Sequence, residues 1–229
     1  MHATVIKLHD WSVSTVEHIL AAIVMLGIDN IVMEVEGGEI PIIDGSALSF
    51  VQGINSVGVI ELDGRKRYMT PKNVLVFKDK GREIKISPAK KNNDNEYEYY
   101  LHVDYSIEFD NKLVGKERLN KKITKEFFVK EIAPARTFGF LDQMHVMRKY
   151  GLAKGASLGN TVVVRDEDFM NESRFSNEFV RHKVLDLIGD LSLLGRPLIG
   201  FVEAHRTGHS FNRLVIDHYI NNPNLWVFV

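Results

Sequence analysis

Residues 182–190 read HKVLDLIGD and lie in the longest helix that the sequence predicts, residues 178–194. Side chains four apart on a helix share a face, so His182 and Asp186 stand one above the other, and Asp190 continues the row. A different arc of the same helix is apolar and is expected to pack on a sheet; it holds Val184, Leu187, Ile188 and Leu191.

The polar row of this helix allows two interpretations. A histidine and an aspartate at this spacing can bind one metal ion, but a site needs a third ligand from elsewhere in the chain. Alternatively, His182 and Asp186 form an intrahelical pair on a solvated face, which is the commoner meaning of an isolated H-x-x-x-D motif. The helix alone does not decide between them.

The composition limits both the architecture and the chemistry. The 229 residues are 45% hydrophobic and 26% charged, as in a globular protein of one large or two small domains. A formal net charge of -1 gives no electrostatic case for binding nucleic acid. Because the chain has no cysteine, a metal site must use histidine and carboxylate ligands. No apolar run reaches the roughly 20 residues of a transmembrane helix and no signal peptide is visible, so we expect a cytoplasmic protein.

The remaining periodicities predict helices interspersed with short strands. Residues 14–17 have the S-x-x-E form of a helix capping box, and the apolar pattern after them predicts a helix ending at Gly27. Residues 74–78 and 83–87 predict a hairpin. We further expect strands at 5–6, 31–35, 96–109, 161–164 and 198–203, helices at 124–132, 141–150 and from 208, a short helix reaching about residue 54, and an irregular C-terminal end.

A weak internal repeat relates two parts of the chain. Near residue 17 and again near residue 181, a histidine lies early in a helix that ends in Leu-Gly and leads to a strand. Two such units indicate a duplicated α+β domain. Helices packed on mixed or antiparallel sheets are favoured over a doubly wound parallel sheet.

Five separated blocks of sequence occur in one order: STVEHILAA at 14–22, EIPIIDGS at 39–46, ARTFGF at 135–140, RHKVLDLIGD at 181–190 and GHS at 208–210. Together they resemble the family of UDP-3-O-acyl-N-acetylglucosamine deacetylases, the zinc enzymes of lipid A biosynthesis. The resemblance extends from about residue 10 to about residue 215. It implies two similar two-layer α+β domains with the active site between them.

The resemblance also implies a catalytic metal site. His18, His182 and Asp186 match the protein ligands of the family, which leaves a fourth position for water. Two histidines and one aspartate suit ferrous iron as well as zinc, so the choice between Zn²⁺ and Fe²⁺ stays open.

Four further residues match catalytic positions of the family. Glu17 resembles the general base that takes a proton from the water. Thr137, by its hydroxyl, and His209, by its positive charge, resemble the groups that stabilise the oxyanion. Asp190 resembles the carboxylate that orients and charges His209. Either Glu17 or His209 can give the leaving amine its proton.

The implied substrate is a UDP-linked acylated amino sugar, and four residues match positions that contact it. Lys183 lies beside the metal ligands, and Arg206 is placed near the diphosphate. Phe109 is placed near the uracil, although ordinary surface charge or core packing explains Arg206 and Phe109 equally well. Phe138 and an inserted unit at about 140–160 are expected to form a passage for the acyl chain, with Met144, Met147 and Leu152 as candidate lining residues.

The match to the family is incomplete at the N-terminal end, where the family has several more strands. We therefore expect residues 1–62 to be the remainder of a truncated first domain that supplies Glu17 and His18. Residues 63–229 would be the second domain, after a polar linker around residues 63–66. Self-association is one way of covering apolar surface that this truncation exposes.

Three functions are compatible with the sequence. The first is hydrolysis of the N-acetyl amide of UDP-3-O-(3-hydroxyacyl)-N-acetylglucosamine, with release of acetate, which commits the substrate to lipid A biosynthesis. The second is a catalytically impaired protein that binds the nucleotide sugar or its acyl chain. The third is a zinc amidase acting on another acylated amino sugar.

Overall fold

The computed structural model describes residues 3–151 and 155–229, without the side chains of Met147 and Arg148. Of the predicted lining positions, Leu152 and the side chain of Met147 therefore lie outside the described part. The helices are α1 (Glu17–Met25), α2 (Leu48–Val57), α3 (Lys125–Phe127) continuing as a π-helical turn (Phe128–Ile132), α4 (Leu141–Lys149), α5 (Glu178–Ser192) and α6 (His209–Asn221), with a 3₁₀ turn at Pro223–Leu225.

The strands are β1 (Val5–Leu8), β2 (Trp11–Ser14), β3 (Met69–Pro71), β4 (Leu75–Asp79), β5 (Arg82–Ser87), β6 (Leu101–Glu108), β7 (Lys116–Ile123), β8 (Phe138–Phe140), β9 (Val162–Val164), β10 (Gly200–His205) and β11 (Trp226–Phe228). The largest sheet within the described residues has five strands in the order β4-β5-β10-β6-β7. Strand β10 runs antiparallel to β5 and parallel to β6, so the sheet is mixed. The predicted α+β class is confirmed.

Helix α5 is the central element of the fold. It packs on β6 and β7, on α6 and on α1, and 12 of its 15 residues are buried. Its apolar arc faces a core that also receives side chains from α1 and α2. The polar row of α5 is buried as well, and its Asp186 lies 3.8 Å from His18 of α1.

Two glycines allow unusually close approach in this region. A Cβ at Gly189 of α5 would lie 2.0 Å from the carbonyl oxygen of Glu17, the first residue of α1. Gly45 has a φ of +79°, and a Cβ there would lie 1.7 Å from the carbonyl oxygen of Asn160. A side chain at either position would displace backbone, so the sequence needs glycine at both.

The start of α1 differs from the predicted capping box. Ser14 belongs to β2, and its hydroxyl donates to the Gly38 carbonyl, 3.2 Å away. The N-cap position is Val16, without a side-chain cap. Glu17 instead accepts the backbone N–H of Thr4 at 3.0 Å. The capping-box prediction is wrong because the chain forms the β1–β2 hairpin immediately before the helix.

Other boundaries differ from the predictions for local reasons. Residues 31–35 are not a strand, since no neighbouring strand within the described residues pairs with them. Strand β6 begins at Leu101 rather than near 96, because Asn92 and Glu96 are hydrogen-bonded in a turn. The C-terminal end is not irregular: β11 pairs with β3. Strand β7 was not predicted at all.

The expected boundary between residues 62 and 63 stays a prediction, and so does self-association. Large apolar side chains are exposed in the N-terminal part, most fully at Val32, Ile60 and Val57, which are 87%, 85% and 84% exposed. These side chains are the ones that an associating surface would cover. Among the described residues, no helix has the length and apolar character that crossing a bilayer requires.

We predict that Gly189→Ala destabilises the protein. The new methyl group meets the backbone of α1, which has no flexible end that can move aside. Overpacking of this kind costs about 3 kcal/mol. The measurement is the urea midpoint of unfolding, which should fall.

Gly53→Ala is the matched control, since Gly53 lies within α2 and a Cβ there meets nothing within 4 Å. Because alanine favours the helix over glycine by about 1 kcal/mol, this variant should be as stable as the original or more so. Equal midpoints for the two variants would contradict the close α1–α5 contact.

Candidate metal centre

The contact between α1 and α5 brings together the three predicted metal ligands. Their ligand atoms all lie within 4.8 Å of one another, and all three residues are buried. The Asp186 Oδ1 atom lies 3.3 Å from His182 Nε2 and 3.8 Å from His18 Nε2. One helix supplies two of the groups and the other supplies the third, as expected from the sequence.

The hydrogen bonds around these groups leave two of their buried polar atoms without a partner in the part of the chain that the structure describes. His182 Nδ1 lies 3.0 Å from the Ala135 carbonyl oxygen, which can only accept, so Nδ1 carries the proton and Nε2 has a free lone pair. Asp186 Oδ1 and His18 Nδ1 are buried without a hydrogen-bond partner among the described residues. An unpartnered buried carboxylate oxygen facing two imidazoles is what a cation would satisfy.

The protonation states favour metal binding. Burial, aided by the neighbouring His182, lowers the pKa of His18 to about 3. Burial also lowers the pKa of His182, although Asp186 opposes the effect. Both rings are therefore neutral near pH 7, the form that binds metals. The donor set fits a divalent ion such as Zn²⁺.

Lys183 holds the other oxygen of Asp186. Its Nζ atom lies 2.7 Å from Oδ2. Burial alone would raise the pKa of Asp186, but the Lys183 ammonium group and the nearby histidines hold it well below its usual range. The same carboxylate raises the pKa of Lys183 despite burial of the amine. Lys183, predicted to contact substrate, is thus bound to a ligand residue in this structure.

Glu17 lies at the edge of the cluster. One carboxylate oxygen accepts the Thr4 N–H, and the other lies 3.8 Å from His209 Nε2. Burial, together with the charge of Asp186, raises the pKa of Glu17 to about 7. The carboxyl group therefore exchanges a proton readily at neutral pH, which suits a general base.

His209, the first residue of α6, is held by Asp190. Its Nδ1 atom lies 2.9 Å from Asp190 Oδ2, which also accepts from the Asn212 side-chain amide at 2.7 Å. The Thr4 hydroxyl donates to Asp190 Oδ1 at 2.5 Å. Burial would lower the pKa of His209, but the carboxylates of Asp186 and Asp190 raise it to about 9. His209 is therefore a cation at pH 7, with Nε2 directed towards Glu17 and Asp186.

The segment before β8 borders the His182 side of the cluster. Ala135 supplies the carbonyl that holds His182, and Thr137 follows two residues later. The backbone of Thr137 is fixed at both groups, by the Gly45 carbonyl at 2.7 Å and by the Val162 N–H at 2.9 Å. Its hydroxyl has no recorded hydrogen bond within the described residues.

Aromatic side chains extend from this segment. The Phe138 ring lies 6.3 Å from the His182 ring, centroid to centroid, and packs edge-on against Phe109 and Phe179. Phe109, predicted near the uracil, therefore belongs to the same aromatic cluster as Phe138. Met144 of α4 is buried nearby, against Gly139.

Arg206 lies apart from these groups. It follows β10 with a φ of +52°, and its guanidinium is 3.8 Å from the Glu108 carboxylate. The side chain is about half exposed, so the charge remains accessible.

Sequence reasoning missed three groups that complete the site: Thr4, the Ala135 carbonyl and Asn212. Thr4 contacts residues 13, 186 and 205 positions away in the chain. Such contacts leave no local pattern. Only Asn212 carried a signal, because it lies three residues after His209 and so shares its face of α6.

Comparisons with known proteins identify the family of the chain. The family model for UDP-3-O-acyl N-acetylglycosamine deacetylase matches residues 1–221. Proteins named UDP-3-O-acyl-N-acetylglucosamine deacetylase from several bacteria are similar to this chain. That of Campylobacter fetus subsp. fetus is 43% identical over 92% of the chain and 69% of its own length. Those of Nautilia profundicola and Syntrophotalea carbinolica are 41% and 37% identical, over 93% and 99% of the chain and 70% and 71% of their own lengths. The chain belongs to the family of UDP-3-O-acyl-N-acetylglucosamine deacetylases.

Proposed function

We propose that the chain hydrolyses the N-acetyl amide of a UDP-3-O-acylated N-acetylglucosamine and releases acetate, the committed step of lipid A biosynthesis. One observation carries the proposal: in a chain of this family, an unpartnered carboxylate oxygen faces two neutral imidazoles beside Glu17 and His209. Deacetylation by water needs this combination of a cation site, a base and an acid.

His18, His182 and Asp186 would hold the ion, which we propose to be Zn²⁺, with Fe²⁺ as the alternative. A divalent ion at such a site lowers the pKa of water and polarises an amide carbonyl. Lys183 and the Ala135 carbonyl keep Asp186 and His182 in place for this role.

Glu17 is the proposed general base. Because the pKa of Glu17 is about 7, its carboxyl group can both accept a proton and return it at neutral pH. The Thr4 N–H fixes one oxygen, which leaves the other free on the side of His209. Glu17 would take the proton from the attacking water.

His209 and Thr137 are the proposed partners of the developing oxyanion. As a cation with its Nε2 atom free of Asp190, His209 can donate to negative charge that forms on the amide oxygen. Thr137, in the segment before β8, would donate its hydroxyl to the same oxygen. The leaving amine takes its proton from either Glu17 or His209.

The apolar and basic groups around the site fit the proposed substrate. The Phe109–Phe138 cluster and Met144 offer apolar surface beside His182, which suits an acyl chain. Arg206 offers an exposed charge for a diphosphate, and Lys183 a cation next to the reacting centre.

The direct test is acetate release from UDP-3-O-acyl-N-acetylglucosamine by the metal-loaded chain and by Glu17→Gln. The variant should bind the same amount of metal, while its rate falls by roughly 10²- to 10⁴-fold, because the base is lost. Glu96→Gln, an exposed position in a turn, is the matched control and should keep the full rate.

An undiminished rate in Glu17→Gln would contradict the mechanism. Saturable UDP binding without acetate release at any metal concentration would instead show a binding protein. Equal rates with UDP-linked and unlinked acetamido sugars would indicate an amidase of another specificity.

The pKa values predict a bell-shaped dependence of kcat/KM on pH. Activity should fall below about pH 7 as Glu17 becomes protonated, because the base must be ionised. It should fall again above about pH 9 as His209 loses the proton that makes it a donor. Initial rates of acetate release from pH 5 to 10 provide the measurement. Activity that persists undiminished to pH 5 would show that Glu17 is not the ionising base.

A further inference from the structure

We propose that Glu178 is a positioning residue of the metal site, acting through Arg136 on His182 and Thr137. The inference rests on the proposed function. The sequence motifs assign no function to Glu178. This residue is the first of α5 and lies one helical turn before His182. Its side chain is completely buried, so its charge must be compensated by neighbouring groups.

The Glu178 carboxylate accepts four hydrogen bonds. Three come from Arg136: the backbone N–H at 2.9 Å, Nε at 3.0 Å and Nη2 at 3.2 Å. The fourth is the backbone N–H of Arg174, at 2.6 Å. Every partner is a donor, so the contact selects a carboxylate rather than an amide.

Arg136 depends on Glu178 in turn. Its side chain is only 8% exposed, and its one other hydrogen bond to a described residue runs from Nη2 to the Glu172 carbonyl at 2.6 Å. A guanidinium in this setting without its carboxylate would be a buried, unpaired charge. The position of the backbone at Arg136 is therefore coupled to the carboxylate of Glu178.

The coupling reaches the site through the residues on either side of Arg136. Ala135 precedes it and accepts the Nδ1–H of His182. Thr137 follows it and is the proposed oxyanion donor. Glu178 therefore positions both partners of the hydrogen bond between His182 and Ala135. It lies in the helix that carries the imidazole, and it binds the segment that carries the carbonyl.

Arg174 extends the same network to the loop at residues 39–46. Its guanidinium donates to Asp44 Oδ2 and to the Pro134 carbonyl, both at 2.9 Å. The neighbouring Gly45 carbonyl accepts the Thr137 N–H. The segment before β8 is therefore held on two sides, and Glu178 contacts both arginines that hold it.

The test compares Glu178→Gln with the original 229-residue chain. The measurements are Zn²⁺ affinity by chelator competition, the visible spectrum of the Co²⁺-loaded protein, and kcat and KM for acetate release. Groups that orient a metal-binding histidine typically contribute roughly 10- to 100-fold in affinity. We expect a loss in that range, a changed Co²⁺ spectrum and a lower kcat with KM within about twofold of the original.

Glu117→Gln is the matched control. Glu117 accepts the N–H of Val180 at 2.9 Å, so it makes the same kind of contact at the same end of α5. It has no recorded hydrogen bond to residues 135–137 within the described part of the chain. This variant should keep the original Zn²⁺ affinity and spectrum. Equal losses in the two variants, or an unchanged Glu178→Gln, would overturn the inference.

Arg136→Lys keeps the test decisive if Glu178→Gln does not fold. Lysine retains the charge and the backbone N–H contact but cannot reproduce the paired guanidinium bonds. We expect a smaller loss of Zn²⁺ affinity in the same direction, and original values would overturn the inference. Absence of metal binding and acetate release in the original chain would refute the proposed function instead, so the two failures are distinguishable.

Discussion

The close approach of α1 and α5 at Gly189 is the contact on which the rest of the site depends. The absence of a side chain at this position lets the backbone of Glu17 lie against α5, since a Cβ would come within 2.0 Å of its carbonyl oxygen. Glu17 and His18 are thereby brought beside the row that contains His182, Asp186 and Asp190. A wider separation of the helices would leave each with an incomplete set of ligands.

This approach also creates an electrostatic problem, because it buries several ionisable groups together. Two carboxylates, Asp186 and Asp190, are paired with Lys183 and His209, and Thr4 and Asn212 supply further hydrogen bonds. Partners of this kind offset the cost of removing charge from water. The inner oxygen of Asp186 is the exception, since it has no donor among the described residues. The same arrangement brings the pKa of Glu17 to about 7 and keeps His209 charged at pH 7. Burial of these groups therefore also gives them the protonation states that catalysis needs.

The sequence predicted the elements whose patterns are local. Helix α5 and the β4–β5 hairpin have clear periodicity, and the structure contains both. Strand β7 was missed because it is an edge strand whose exposed positions are mostly charged, so it lacks an apolar alternation. Residues 31–35 have strand-like composition but no neighbouring strand within the described residues, and composition cannot supply one.

The candidate site shows the same limit. The helix spacing suggested His182 and Asp186 as a pair, whereas His18 and the catalytic roles came from the resemblance of five separated blocks. Contacts such as Thr4 with Asp190, or Glu178 with Arg136, join distant parts of the chain through hydrogen bonds of individual side chains. They depend on the packed fold and have no periodicity by which a sequence reveals them.

We propose that one divalent ion is held by residues of both α1 and α5. The decisive measurement is X-ray absorption spectroscopy of the protein loaded with one equivalent of Zn²⁺. We expect nitrogen and oxygen ligands at about 2.0–2.1 Å with scattering from two imidazoles, reduced to one imidazole in His18→Ala. A spectrum with only oxygen ligands, or one that His18→Ala leaves unchanged, would contradict it.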